Sequence, residues 1–259
     1  MSGAALKVEA LTIRFGGLVA LNRVSLSVAP GSIHAVIGPN GAGKTTLLNL
    51  VTGIYRPTEG RVFLDDVELT GAPPHRVAAQ GVARTFQNTE LFVEMSARDN
   101  VLAGLHRHLT YALAGAVLNL PGYRRVEEKA RHEANTLLEL VGLATEAETL
   151  AGDLALGQQR RLELARALAV GPRLLMLDEP AAGLRAAEVD DLTAVLRRLR
   201  DDLGLTLVLI DHVMRVVMRL SDRITVLNHG RWLAEGTAEE IRRTPEVIEA
   251  YLGTATHGT

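Results

Sequence analysis

A glycine-rich segment that ends in a lysine and two threonines constrains the fold of this chain more than any other part of the sequence. Residues 38–46 read GPNGAGKTT and fit the pattern G-x-x-x-x-G-K-[ST]. The apolar run Ile33–Ile37 predicts a buried strand before the segment, and residues 45–51 predict a helix after it. In that order, glycine backbone N–H groups turn inward and the helix adds the positive end of its dipole. The segment is therefore predicted to bind the phosphates of a nucleotide.

Two side chains of the segment add specific contacts to this backbone cradle. We expect Lys44 to reach the outer phosphates and the hydroxyl of Thr45 to hold a magnesium ion. The predicted nucleotide-binding residues are those of the whole loop: Gly38, Pro39, Asn40, Gly41, Ala42, Gly43, Lys44, Thr45 and Thr46.

A second polar signal follows an apolar run later in the chain. Residues 174–180 read LLMLDEP, which predicts a buried strand that ends in two acidic residues. Opposite a phosphate loop, Asp178 would hold magnesium directly or through water, and Glu179 would polarise the attacking water. Two acids at a strand end also occur for purely structural reasons, but the glycine-rich loop favours the catalytic interpretation.

Two weaker signals take their meaning from their positions relative to these acids. The segment 154–158 reads LALGQ at the start of an expected helix, shortly before Asp178. His212 follows the apolar strand that is predicted for residues 205–210. A neutral histidine at a strand end beside phosphate can donate to the outer phosphate and orient Glu179. The alternative is an ordinary solvent-exposed histidine.

The spacing of apolar residues divides the chain into three parts. The N-terminal part alternates at period two, which predicts half-buried antiparallel strands on both sides of Gly16 and Gly17. Residues 96–153 have helical spacing, and the last third alternates strand and helix, which predicts a parallel sheet. The alternating apolar positions are Leu6, Val8, Ala10, Val24, Leu26 and Val28.

These patterns predict an α/β fold with a P-loop nucleotide-binding core, antiparallel strands in the N-terminal part and a helical part in the middle of the chain. We expect one domain over residues 1–259. Within it, 1–87 and 154–259 form the core with its β subdomain, and 88–153 form the helical insert. The apolar run 109–120 has only 12 residues, fewer than the roughly 18 that a membrane span needs, so a buried or interfacial helix is expected there.

The composition argues against several other kinds of protein. Lys plus Arg number 28 and Asp plus Glu number 30, and this near-neutral balance predicts that nucleic acid is not a partner. The chain has no cysteine, which excludes disulfides, thiolate nucleophiles and cysteine-ligated zinc. The N-terminal residues lack a basic region followed by an apolar core, so we expect no signal peptide and a cytoplasmic location.

The loop, the LALGQ segment, the two acids and His212, in this order, resemble the ATP-binding-cassette (ABC) family of transport ATPases over nearly the whole chain. The resemblance implies a RecA-like P-loop core with an N-terminal antiparallel β subdomain and an inserted helical subdomain. It also implies ATP and magnesium as cofactors. Phe15 stands where the family has an aromatic that stacks on adenine. Gln87, in RTFQN, matches the family's glutamine loop, which touches the magnesium site and senses the transmembrane partner. The implied metal set is Thr45, Gln87 and Asp178, and the implied catalytic set is Glu179, His212 and Gln87.

The resemblance also implies a second ATPase subunit, because in this family two cassettes clamp two ATP molecules between them. Residues 154–158 match the signature motif, which completes the nucleotide site of the opposing cassette. Residues 181–185 match the loop that crosses the dimer interface. The signature residues that are expected at the nucleotide are Ala155, Gly157 and Gln158.

A finer resemblance is to the ATP-binding subunits of branched-chain amino acid importers. It implies uptake energised by ATP hydrolysis, transmembrane permease subunits, a second ATPase subunit of the same or a different kind and, indirectly, a substrate-binding protein. It places the chain on the inner face of the cell membrane, with residues 91–95 as the expected permease contact. The resemblance is carried by RFGG at 14–17, RTFQ at 84–87, GQQRRLE at 157–163, DEPAAGL at 178–184, SDRITVLNHG at 221–230 and EVIEAYLG at 246–253.

Two departures from the family pattern leave alternatives open. Ala155 and Leu156 stand where the signature has Ser and Gly, so one hydroxyl contact to phosphate, worth roughly 0.5–1.5 kcal/mol, is lost. Arg185 replaces the Asp of the interface loop. One alternative is a cassette that binds ATP as a partner subunit with little hydrolysis. Others are an ABC ATPase without a membrane partner, and a P-loop kinase or GTPase, although the sequence has no guanine-reading N-K-x-D segment.

Overall fold

The computed structural model describes residues 3–85, 91–105 and 121–252, without side chains at 121–123 and 252. Two sequence predictions lie outside the described residues, namely the role of Gln87 and the helix over 109–120.

The chain forms two compact units. The first consists of Met1–Gln87, Arg173–Ala182 and Leu196–Thr259, and the second consists of Asn88–Pro172 and Gly183–Val195. The predicted insert, 88–153, falls within the second unit, which continues beyond it.

Strands and helices follow in this chain order among the described residues. The strands are β1 (Leu6–Phe15), β2 (Leu18–Val28), β3 (Ile33–Ile37), β4 (Glu59–Leu64), β5 (Val67–Glu68), β6 (Val82–Thr85), β7 (Leu174–Asp178), β8 (Thr206–Ile210), β9 (Arg223–Asn228) and β10 (Arg231–Gly236). The helices are α1 (Lys44–Val51), α2 (Pro74–Ala79), α3 (Ala97–Leu105), α4 (Pro121–Leu140), α5 (Leu156–Ala169), α6 (Ala186–Leu203), α7 (Met214–Leu220), α8 (Ala238–Arg243) and α9 (Pro245–Leu252).

The first unit contains an antiparallel sheet in the order β2-β1-β4-β5. Phe15 pairs with Leu18, so Gly16 and Gly17 form the two-residue turn of the predicted hairpin. In the second half of β2, every second residue is apolar and buried, as period two predicts. These residues are Val24, Leu26 and Val28.

The alternation that was predicted for the first strand holds only in part. Leu6 and Val8 are buried, but Ala10 has a φ of +46° and the register against β2 shifts between Val8 and Leu11. The bulge moves the buried positions to Leu11 and Ile13. The prediction that Ala10 continues the buried set is therefore wrong, because one extra residue in a pleat reverses which side chains face the core.

The second sheet of this unit has the order β10-β9-β3-β8-β7-β6, and its neighbours are parallel except for β9 and β10. Strands β3, β7 and β8 are buried along their whole length, which accounts for their continuous apolar sequences. The parallel sheet and the α/β class are thus confirmed. Because parallel strands end at the same sheet edge, the loop after β3 and the acids after β7 emerge on one side.

Among the described residues of the first unit, two apolar clusters support the sheets. The larger one joins both sheets with α1, whose buried residues include Leu47 and Leu48. The smaller one lies between β3, β9 and the C-terminal helices, and it contains Val217, Ile241 and Val247. The C-terminal helices are therefore part of the core that supports the sheet.

The second unit is helical among the described residues. The helical spacing that was predicted for the middle of the chain is confirmed, because the apolar positions of α4 and its end are all buried. These positions are Ala130, Ala134, Leu137, Leu138 and Val141. A backbone bridge between Ser96 and Leu150 precedes α3 and the 3₁₀ turn Ala151–Asp153.

Within the parts of the chain that the structure describes, no helix has the length and apolar character that crossing a membrane requires.

Candidate functional site

The predicted phosphate loop connects the end of β3 to the start of α1. Gly43 caps the helix with a φ of +98°, and no side chain caps the first N–H groups of α1. A Cβ at Gly38 would lie 2.1 Å from the carbonyl oxygen of Leu227, and one at Gly43 would lie 2.5 Å from Leu21 Cδ2. Only glycine fits at these two places, so the tight backbone of the loop requires the glycines of the motif.

Lys44 is held inside its own loop. Its Nζ donates to the carbonyl oxygens of Gly38 at 2.7 Å and Pro39 at 3.0 Å. Burial lowers the pKa of Lys44, while the negative charges of Glu179 and Asp178 oppose that shift. The ammonium group therefore lies in the field of both predicted acids. Thr45 follows it on the first turn of α1 and is exposed.

The two acids differ in burial and backbone conformation. Asp178, the last residue of β7, is only 3% exposed. Glu179 has a φ of +51°, a strained conformation for a residue other than glycine, and its N–H donates to Ile210 O at 2.7 Å. Backbone strain of this kind, at a residue whose side chain is only partly buried, is typical of functional positions. The predicted pair of acids is thus a buried carboxylate followed by a more accessible one.

His212 lies beside the second acid, as the sequence predicted. Its Nδ1 is 3.5 Å from Glu179 Oε2, and its side chain is 64% exposed. The exposure of His212 is what the interpretation as an ordinary surface histidine expects, whereas its distance from Glu179 is what the orienting role requires. The structure brings these two predicted residues together.

Asp211 is a buried acid that the sequence analysis missed. Its Oδ2 accepts the N–H of Ala181 at 3.0 Å, and its Oδ1 accepts the N–H of Val213 at 2.8 Å. Burial raises the pKa of Asp211, while these two N–H groups oppose the rise. The carboxylate fixes the turn that carries His212 to the turn that follows Glu179. An acidic residue directly between the apolar run 205–210 and His212 is the sequence signal that could have identified Asp211.

Two further contacts to the predicted site were also missed. Arg84 donates to Asp178 Oδ2 and to Asn49 Oδ1, each at 2.6 Å. At the end of α9, burial raises the pKa of Tyr251, and a hydrogen bond from the backbone N–H of Gly38 offsets part of that rise. No sequence pattern indicated a site role for Arg84 or Tyr251, although both lie in segments that resemble the importer subunits.

Phe15 occupies the tip of the β1–β2 hairpin. Its ring is 45% exposed and meets Tyr55 edge to face, with the ring centroids 5.3 Å apart. The N–H of Tyr55 bonds to the carbonyl oxygen of Asn49 near the end of α1. An exposed ring supported by a second ring is a suitable stacking surface for a base.

The LALGQ segment forms the start of α5 in the second unit. Gln158 Oε1 accepts the N–H of Ala155 at 3.0 Å, and Gln158 Nε2 donates to Glu146 Oε1 at 3.0 Å. Leu156 is 39% exposed. The amide of Gln158 therefore caps its own helix.

A carboxylate from α6 also contacts the start of this helix. Hydrogen bonds from the backbone and side chain of Arg185 lower the pKa of Glu188, and the N–H of Gly157 adds to the effect. A Cβ at Gly157 would lie 3.0 Å from Glu188 Oε1, so a larger residue there would push the Glu188 side chain aside. Arg185, which departs from the family pattern, is thus paired within its own unit.

The predicted magnesium ligands provide suitable chemistry. A carboxylate at Asp178 and a hydroxyl at Thr45 are the hard oxygen donors that magnesium prefers, beside a loop for phosphates that complete its coordination. Gln87, the third predicted ligand, lies outside the described residues. No group of three or more His, Cys, Asp or Glu side chains with metal-binding geometry occurs among the described residues, so an all-protein cage is absent there.

A glycine loop with an inward lysine, a buried acid beside it, and a carboxylate that faces a histidine define the class of P-loop nucleotide hydrolases. Comparison with known families narrows the class. The family model described as "ABC transporter" matches residues 21–182, and the one described as "Branched-chain amino acid ATP-binding cassette transporter" matches residues 233–257. The chain belongs to the ABC transporter family of ATP-hydrolysing cassettes.

Two named relatives match nearly the whole chain. It is 51% identical over 255 residues to the high-affinity branched-chain amino acid transport ATP-binding protein BraF of Pseudomonas aeruginosa, covering 98% of this chain and 100% of BraF. It is 48% identical over 255 residues to LivG of Escherichia coli K12, whose name describes the same role, with the same coverage.

Solved structures of cassettes have the same fold. A nucleotide-free ATP-binding cassette from an ABC transporter matches with a TM-score of 0.83 and 30% identity, covering 96% of this chain and 98% of that one. A cassette dimer in a post-hydrolysis state, bound to ADP and phosphate, matches with a TM-score of 0.74 and 26% identity, covering 90% and 98%. The expected P-loop fold is therefore confirmed.

Proposed function

We propose that this chain is the ATP-hydrolysing subunit of an ABC importer for branched-chain amino acids. The observation that carries the hydrolytic part is the facing pair of Glu179 and His212 beside a complete phosphate loop. The substrate class is supported by the similarity to BraF and LivG over 98% of the chain. We infer a location on the inner face of the cell membrane, through permease subunits.

The loop residues bind the phosphates of ATP in this proposal. Backbone N–H groups of residues 38–46 surround the phosphate oxygens, and Lys44 exchanges the carbonyls of Gly38 and Pro39 for the outer phosphates. Phe15 stacks on the adenine. Pre-formed glycine geometry means that little backbone order has to be created when ATP binds.

Thr45, Gln87 and Asp178 would hold magnesium. When bound, the ion supplies positive charge that offsets the charge developing on the transferred phosphoryl group. Asp178 has the burial that such a ligand needs, because a charge–charge contact strengthens away from water.

Glu179 is the proposed general base and His212 the residue that orients it. The carboxylate of Glu179 accepts a proton from the attacking water, whose oxygen bonds to the outermost phosphorus while the bond from that phosphorus to the bridging oxygen breaks, so that ADP leaves with that oxygen. His212, at 3.5 Å, donates to the carboxylate or to phosphate, and Asp211 fixes the turn on which it stands. Because the side chain of His212 is exposed, the phosphates of bound ATP could contact it directly.

In this proposal, a second ATPase subunit of the same or a different kind pairs with this chain and completes its nucleotide site. Ala155, Gly157 and Gln158 start the helix whose N-terminus would face the partner's nucleotide. The match to a cassette dimer with ADP and phosphate supports two cassettes per transporter. A substrate-binding protein is the expected source of the transported amino acid.

The predicted permease contact at residues 91–95 divides into a buried and an exposed part. Leu91 is only 8% exposed, whereas Phe92 and Val93 are 53% and 57% exposed. Arg166 lies over the ring of Phe92 at 5.6 Å. We therefore assign the contact to Phe92 and Val93, and Leu91 to the core of the second unit.

The comparisons favour none of the alternatives. A cassette without hydrolysis has no use for a base that faces a histidine, and a kinase would need a site for its acceptor. The altered signature at Ala155 remains the one feature that motivates the non-hydrolysing alternative.

Turnover of the assembled transporter tests the proposal. The chain is co-expressed with its permease subunits and second cassette, reconstituted in lipid, and supplied with binding protein loaded in turn with leucine, other amino acids or urea. We expect leucine-loaded protein to stimulate ATP hydrolysis, and Lys44→Ala to abolish ATP binding and stimulation. ATP binding without stimulation by any ligand would contradict the proposed role, and stimulation by another ligand alone would replace the substrate class.

A further inference from the structure

Arg84 connects the predicted magnesium-binding acid to the helix of the phosphate loop. It lies in β6, the edge strand, and pairs with Met176 in β7. One guanidinium nitrogen donates to Asp178 Oδ2 and another to Asn49 Oδ1, each at 2.6 Å. The planar guanidinium of one side chain thus joins the end of β7 to α1, the helix that starts with Lys44.

The pair of Arg84 and Asp178 is buried, with side chains only 8% and 4% exposed. Taking two charges out of water is costly, and buried ion pairs are often no more stabilising than apolar residues of the same volume. The pair of Arg173 and Asp65 in the same unit is different, because its side chains are 43% and 34% exposed. Stability alone therefore does not explain why a charged pair lies under the phosphate loop.

Geometry gives the buried pair a use. A strong hydrogen bond to Oδ2 restricts rotation of the Asp178 carboxylate and so fixes the direction of its other oxygen. The planar fork of arginine can hold the amide of Asn49 and the carboxylate at the same time, which a lysine cannot reproduce. Asn49 fixes the fork relative to α1, on which Thr45 also lies.

We propose that Arg84 is a positioning residue, which holds the carboxylate of Asp178 in the orientation that binds magnesium. This inference rests on the proposed function, in which Asp178 is a magnesium ligand. Arg84 also carries a positive charge, which by itself repels a nearby cation. The two effects have opposite signs. Loss of positioning weakens metal binding when Arg84 is replaced by an uncharged residue, whereas loss of repulsion strengthens it.

The test measures metal affinity directly and needs no turnover. The full chain, saturated with ADP, is titrated with Mn²⁺ as a probe of the magnesium site, and free Mn²⁺ is followed by electron paramagnetic resonance. We expect Arg84→Met to raise the Kd for Mn²⁺ about tenfold. Arg84→Lys, which keeps the charge and one donor, should raise it about threefold. ADP affinity in EDTA, measured by calorimetry, should change less than about twofold.

Arg173→Met is the matched control, since it breaks an exposed Arg–Asp pair of the same unit away from the loop, and it should leave Mn²⁺ affinity unchanged. Unchanged or tighter Mn²⁺ binding in folded Arg84→Met would overturn the proposal. An equal loss of ADP affinity in EDTA would also overturn it, because Arg84 would then act on the nucleotide.

Two more variants keep the result unambiguous. If Arg84→Met does not fold, Asn49→Ala decides, because it removes one anchor of the fork without leaving a buried charge, and we expect about a threefold rise in the Kd for Mn²⁺. Unchanged affinity there counts against positioning. Asp178→Asn separates the two levels. If it leaves Mn²⁺ affinity unchanged, the proposed metal site is wrong, whereas a large loss there with none in Arg84→Met refutes only the role of Arg84.

Discussion

The helices α1 and α5, whose N-termini are both proposed to contact nucleotide, differ in the hydrogen-bond partners of their first N–H groups. The helix α1 begins at Lys44 after a left-handed Gly43, and no side chain caps it. The helix α5 begins at Leu156 with Gln158 on the N–H of Ala155 and Glu188 on the N–H of Gly157. Both helices have the positive end of a dipole at this point.

This difference predicts that substitutions have unequal effects in the two segments. The first start leaves its N–H groups to an anion, so its glycines and lysine cannot vary without loss of the cradle. The second start already has a local partner in Gln158, and the negative charge of Glu188 beside Gly157 opposes an incoming phosphate. The phosphate loop, which keeps the family pattern, precedes the open helix α1, whose first N–H groups have no side-chain cap. The LALGQ segment, which departs from the pattern, starts the self-capped helix α5.

The largest effect is expected on the side of the open helix, from the proposed base. Glu179→Gln keeps the side-chain shape but cannot accept a proton, so ATP turnover should fall about 10²–10⁴-fold while ATP affinity stays within about twofold. Phosphate release from the assembled complex and calorimetry measure the two quantities. Glu239→Gln, in an exposed pair with Arg243, is the matched control and should behave as the parent. Parental turnover in Glu179→Gln would exclude this residue as the base.

The next effect concerns the turn that holds His212. Asp211→Ala leaves the buried N–H groups of Ala181 and Val213 without acceptors, so the free energy of unfolding should fall by about 2–4 kcal/mol. Asp211→Asn keeps a carbonyl oxygen and should lose roughly half as much. Urea unfolding measures both. A loss in Asp211→Ala below about 0.5 kcal/mol, the size of an ordinary surface change, would show that the two contacts do not stabilise the turn.

A smaller effect tests the self-capped helix. Ala155→Ser restores the hydroxyl of the family signature, and we expect turnover at sub-saturating ATP to rise about two- to tenfold in the assembled complex. Ala187→Ser, at an exposed position of α6, controls for the added hydroxyl and should have no effect. No rise in Ala155→Ser would mean that the self-capped helix start does not use a serine contact.

The smallest effect returns to the open helix. Tyr251→Phe removes the oxygen that accepts the N–H of Gly38, and ATP affinity should weaken about two- to fivefold, because one hydrogen bond that shapes the loop is lost. Calorimetry measures the affinity, and thermal unfolding checks that the core around α9 is unchanged. Equal affinities in the two proteins would mean that the glycine geometry alone sets the loop.

Local sequence patterns were sufficient to locate the candidate-site residues that are contiguous in the chain. The loop at 38–46 and the acids at Asp178 and Glu179 are local patterns, and a buried parallel strand leaves a continuous apolar run. His212 could be predicted because it follows such a run.

The missed contacts join segments that are far apart in the chain. Arg84 reaches Asn49 and Asp178, and Tyr251 reaches Gly38. No local pattern marks a side chain whose partner is set by strand order. Ala10 was mispredicted for a related reason, since a bulge depends on the neighbouring strand and not on the residue alone.

The two hydrogen bonds of Lys44 to its own loop carbonyls affect the working cycle as well as binding. Phosphate has to replace these two oxygens, so the affinity for ATP is the difference between two sets of partners for one ammonium group. When phosphate leaves, the same oxygens take the lysine back, and no charge is left without a partner. The two carbonyl oxygens therefore stabilise the nucleotide-free loop, which weakens the net binding of ATP and makes complete release of nucleotide thermodynamically more favourable.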